Sequence, residues 1–183
     1  MSALLFLAAA ASLAPSAALN EFNQRCSKLD DFEAISERAI AAGWQPSTPE
    51  AGSVVARYLA LEGSFRSNLR TSFLTQTFID PAKQGAVLVL LRREVGDRTT
   101  IECQLQLPEA QTAPSDEELQ EWAKRRASRS TNENGQRTWW WEPGVLESHS
   151  TTGVTFVAAS SRVREMLPVA GLRIVGRRTL TSN

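Results

Sequence analysis

Apolar positions in this chain recur at two periods, and each change of period marks a change of secondary structure. Phe32, Ile35 and Ala39 stand at helical spacing and predict a helix over residues 31–42. Asp30 is placed to cap it, with Glu33 three positions further on and Gly43 as the stop. Trp44 follows, expected to pack where the chain turns at Pro46 and Pro49. Residues 53–61 are then β-prone, and residues 64–79 set Phe65, Leu69, Phe73 and Phe78 among serines and threonines. The unbroken run Val87-Leu88-Val89-Leu90-Leu91 predicts a strand over 86–94 buried on both faces. Gly96-Asp97 signals a tight turn. Beyond it Ile101, Cys103, Leu105 and Leu107 alternate with polar residues over 99–107, which completes a hairpin.

The helical period returns after a loop over 108–114. Ser115 and Glu118 form a capping box that opens a helix over 116–127, with Leu119 and Trp122 facing inward. Acidic residues fill its first turn and Lys124-Arg125-Arg126 its last, as the helix dipole favours. Residues 131–136 read as a polar turn around Asn134-Gly135, and 137–142 as a strand carrying three tryptophans. Strands over 152–159 and 172–180 flank a helical turn at 162–167. The pattern is α+β: a single domain with a largely antiparallel sheet, two main helices and one disulfide.

Residues 1–18 carry no charge and change the picture most. Leu4-Leu5-Phe6-Leu7 and an alanine run supply a short apolar core, and Ser16 and Ala18 are small residues where a signal peptidase inspects. They predict an export signal cut after Ala18, leaving residues 19–183 as a periplasmic or secreted domain. The alternative is a buried alanine-rich helix. The run falls short of the roughly 20 apolar residues that span a bilayer, so no transmembrane segment is expected. In an oxidising compartment Cys26 and Cys103 are expected to bridge, the alternative being two separate buried thiols. Composition is that of a globular chain, and a formal net charge of zero gives no field to attract nucleic acid.

Candidate chemistry is sparse. His149, the single histidine, lies in Glu147-Ser148-His149-Ser150, where it is either solvated or the base of a Ser-His-carboxylate hydrolase; no nucleophile elbow accompanies it. With the cysteines bridged and one histidine left, no metal site is expected, and no glycine-rich loop calls for a nucleotide cofactor. Glu102, Glu142 and Glu147 are the acids to consider for a glycosidase pair.

On a strand, Trp139 and Trp141 share one face and Trp140 takes the other. Either helices cover all three, or one indole meets a ligand or a subunit. The ligand-binding candidates are therefore Trp139, Trp140 and Trp141, with Arg137 and Arg178 in support. Residues 160–183 hold five arginines against one glutamate, while 19–62 hold seven acids against four bases. These segments either complement one another or leave a basic patch for an anionic polymer or lipid head group.

Phe22-x-x-x-Cys26, with an alanine-rich helix ending Ala42-Gly43-Trp44, resembles small exported bacterial proteins of uncharacterised function over the first quarter of the chain. The resemblance implies an envelope location and a paired N-terminal cysteine, and it carries no catalytic residue across. The expected function is a non-catalytic periplasmic or secreted protein that binds an envelope ligand or a protein partner. A small extracytoplasmic hydrolase using His149 or a glutamate pair is the alternative.

Overall fold

The structure is a computed structural model that describes residues 13–67, 71–83 and 85–181. Most of the expected leader, residues 1–12, lies outside the described residues. Its last part lies inside: α1 (Pro15–Cys26) opens with Pro15 in its first turn and buries Ala18, Leu19, Phe22 and Cys26. The expected cut after Ala18 therefore falls within α1.

Helix α2 (Phe32–Ala41) matches the periodicity, but Asp31 caps it, accepting from the amides of Glu33 at 2.9 Å and Ala34 at 3.4 Å. Asp30, the residue expected there, pairs instead with Arg178. A larger correction concerns residues 53–61, which form the start of α3 (Val54–Ser67) and not a strand. The valines suggest a strand, but the Ser53 hydroxyl accepts from the Ala56 amide at 3.2 Å and caps a helix. Val55, Tyr58 and Leu59 then make a helical stripe that packs on Val89 and Leu91. Helix α4 (Asp116–Ala123) has the full capping box and stops short of residue 127, because Lys124 turns left-handed at φ 57°.

A single turn, α5 (Val163–Met166), completes the helices. The described residues thus hold five helices, not two main ones, and strands dominate them.

One eight-stranded sheet organises the molecule: β1 (Gln45–Pro46), β2 (Ser72–Ile79), β3 (Val87–Val95), β4 (Arg98–Leu107), β5 (Arg129–Glu133), β6 (Gln136–Trp141), β7 (Thr151–Val157) and β8 (Gly171–Thr181). Their spatial order is β1-β2-β3-β4-β8-β7-β6-β5, and every neighbouring pair is antiparallel. The chain meanders to β4, crosses through α4 to the far edge, and meanders back until β8 closes on β4. The expected polar turn at 131–136 includes most of β5, joined to β6 by Asn134 and Gly135 at φ 53° and 75°, the signature of a type I′ hairpin.

The two faces of the sheet differ. On the first, α1, α2 and α4 cover an apolar core that includes Phe22, Leu29, Ile35, Leu90, Leu105 and Ile174. Cys26 at the end of α1 meets Cys103 in mid-β4 at disulfide-bonding distance, Cα–Cα 5.6 Å. A bridge closing a loop of 77-residue separation is worth about 4–5 kcal/mol in the chain-entropy account. On the second face, α3 packs Val55 and Tyr58 on Val89 and Leu91 of β3. No helix among the described residues is long and apolar enough to cross a membrane.

Candidate functional site

The tryptophan strand divides as strand alternation requires. Trp139 and Trp141 face the apolar core and are 4% and 0% exposed. Trp139 donates its indole N–H to Asp116 Oδ1 at 2.7 Å, and Arg137 stacks on its ring at 4.6 Å while pairing with the same carboxylate at 3.3 Å. Trp141 donates to the Arg125 carbonyl at 3.4 Å and meets Trp122 edge-on at 5.8 Å. A cleft of about 360 Å³ counts Trp139 and Trp141 among its lining residues, with Leu119 of α4 and Ser130 of β5. Arg178 is not near them; its partner is Asp30, ahead of α2. Of the five candidate residues the structure brings Arg137 and Trp139 into contact, while Arg178 lies elsewhere and Trp140 stands on the opposite face.

Trp140 lies on the second face, partly exposed, across the backbone of Gly153 on β7. A side chain at Gly153 would bring a Cβ within 2.3 Å of the indole, so only glycine lets the ring lie there. The Arg177 guanidinium stands 5.5 Å from the indole centroid. Behind it runs a connected polar network. Arg177 Nε donates to Glu102, which is 2% exposed; Gln104 Nε2 donates to Glu102 and, at 2.8 Å, to the Tyr58 hydroxyl. Gln106 donates to Gln104 at 2.8 Å, and Arg173 stacks on Tyr58 at 5.2 Å.

Charge and burial set the protonation states here. Burial, reinforced by the Glu102 carboxylate, pushes the Tyr58 hydroxyl up to about 12. Burial works against the Arg177 charge, but the Glu102 carboxylate outweighs it and raises the guanidinium further. Tyr58 stays neutral and Arg177 charged near neutral pH. Together they offer hydrogen bonds and stacking, not proton transfer. Sequence alternation on β4 marked Glu102, Gln104 and Gln106 as the polar face, which hides that they are buried. Tyr58, Arg173 and Arg177 carried no signal of a shared location.

His149 is buried, not solvated. Its Nε2 donates to the Cys26 carbonyl at 2.7 Å, and Nδ1 accepts from the Thr152 hydroxyl at 3.0 Å; a carbonyl can only accept, which fixes that tautomer. Gly176 makes room for the ring, since a Cβ there would lie 2.3 Å from Cε1. Burial lowers the imidazole pKa, and the Cys26 carbonyl opposes this only in part.

Ser148 donates to the Ser27 carbonyl at 2.8 Å and Ser150 accepts from the Thr179 amide at 3.2 Å, so neither flanking serine is engaged with the imidazole. Glu142 and Glu147 are exposed, and Glu102 is paired with Arg177. No three His, Cys, Asp or Glu side chains among the described residues converge to hold a metal ion.

Comparison with protein-family models, with curated proteins and with solved structures found no match.

Proposed function

We propose that this chain is a non-catalytic binding protein of an exported compartment, periplasmic or secreted, that takes an envelope ligand or a protein partner against Trp140 and Arg177. The observation that carries this is the Trp140 indole laid across Gly153 beside a guanidinium held by a buried glutamate. A flat aromatic surface next to fixed donors suits a sugar ring or a planar polar group, through stacking and directed hydrogen bonds. Export rests on the uncharged apolar leader, and the cysteine pair at bonding distance is compatible with an oxidising compartment. The hydrolase alternative needs a free base. His149 spends both nitrogens on internal partners, and Glu102 is held by Arg177 and Gln104.

Titration with solubilised cell-wall fragments, followed by tryptophan fluorescence, tests the proposal. A saturable change is expected in the wild type and absent in Trp140→Ala and Arg177→Ala. An unaltered response in Trp140→Ala overturns the assignment.

A further inference from the structure

A second site lies on the same sheet face, at the start of α3. We infer that it takes a small amphiphile with an aliphatic body and a cationic head, independently of Trp140. The site is a cleft of about 550 Å³, within the range of small-molecule pockets. Ile79 and Val87, from adjacent strands, form its floor, and Val54 and Val55 in the first turn of α3 form a wall. Ile79 is 40% exposed, which leaves an aliphatic side chain open to whatever enters. The Thr77 hydroxyl lining the cleft is already donated to the Ser47 carbonyl.

The head group follows from charge. Among the described residues, Glu50 and Glu109 are the charged residues lining the cleft, and no lysine or arginine lines it. Both are exposed and without a side-chain partner among the described residues. The α3 N-terminus carries only a partial positive charge, about half an elementary charge, and the Ser53 hydroxyl already caps it, whereas the cleft is lined by two full carboxylate charges. An ammonium group is attracted and a carboxylate repelled. Aliphatic floor and acidic rim together select a cationic amphiphile over a fatty acid or an anionic lipid.

Calorimetric titration of the whole protein with octylammonium, octanol and octanoate tests this. Octylammonium is expected to bind tightest and octanoate weakest. Glu50→Gln and Glu109→Gln, both at exposed positions, are expected to weaken octylammonium by up to about fivefold each and to leave octanol unchanged. Val54→Trp fills the cleft and is expected to abolish all binding, with circular dichroism confirming the fold. Trp140→Ala is expected to leave binding intact. Equal affinity for the three probes, absence of saturable octylammonium binding, or indifference to the two glutamine variants overturns the inference. Loss of binding in Trp140→Ala does so too, by placing the probe at the other site.

Discussion

The two faces of the sheet are built from the same strands yet use opposite chemistry. On the face under α1, α2 and α4, alternating positions of β4 and β8 supply Leu105, Leu107, Leu172 and Ile174, and stability comes from close apolar packing. On the other face the intervening positions supply Glu102, Gln104, Gln106 and Arg177, joined by directed hydrogen bonds and an ion pair, and Arg173, which stacks on Tyr58. A core needs only volume and apolarity, whereas each buried polar group left without a partner carries a cost, as the Arg173 Nε does here. The second face is thus costlier to maintain.

Neighbouring indoles on β6 give the sharpest test of that difference. Trp141→Ala, which empties a fully buried site, is expected to lower stability by about 3–5 kcal/mol in guanidinium denaturation. Trp140→Ala is expected to cost about 1–2 kcal/mol, because part of its surface already meets solvent. Equal losses would mean the two faces are equally core-like.

The network supplies the next contrast. Glu102→Gln leaves the Arg177 charge without its counterion and is expected to cost about 1–3 kcal/mol, moderated because Arg177 is 37% exposed. Replacing both, Glu102→Leu with Arg177→Met, is expected to come out near neutral or more stable while losing the ligand response. A double variant less stable than Glu102→Gln would mean that the pair contributes to stability more than to recognition.

Alkaline titration tests the same network most gently. Tyr58 is raised from 10 to about 12 in the folded state, so the folded protein holds that proton after the unfolded chain has released it. Its contribution is fully present below pH 10 and is lost as pH rises towards 12, about 2–3 kcal/mol in all. Tyr58→Phe is expected to remove that part of the alkaline slope. An unchanged slope would mean that Tyr58 titrates normally.

Local order was readable where period and turn chemistry agreed. The Ser115–Glu118 capping box, the Gly96-Asp97 turn and the strands at 87–95 and 98–107 follow from periods and turn chemistry within a few residues. Residues 53–61 misled because β-branched Val54 and Val55 open a segment whose fate was set by a cap at Ser53 and a distant apolar partner, Val89. His149 misled more, since its serine-flanked loop looks solvated while its partners are Cys26, 123 positions away, and Thr152. Of the candidate site, alternation separated Trp140 from Trp139 and Trp141. It did not bring Arg177, Glu102 or Tyr58 to it.

By itself the sequence determined a mixed α+β class with a largely antiparallel sheet, the Ser115–Glu118 cap of α4, the alternation on β4 and β6, and which two cysteines were available to pair. These depend on contacts a few residues apart, where backbone geometry leaves few choices. Only the tertiary structure decided that β8 closes on β4, that His149 is sealed behind the cysteine pair, and that Arg177 reaches both Glu102 and Trp140. Those contacts join residues far apart in the chain. The order and register of the strands create them, and no local pattern encodes either.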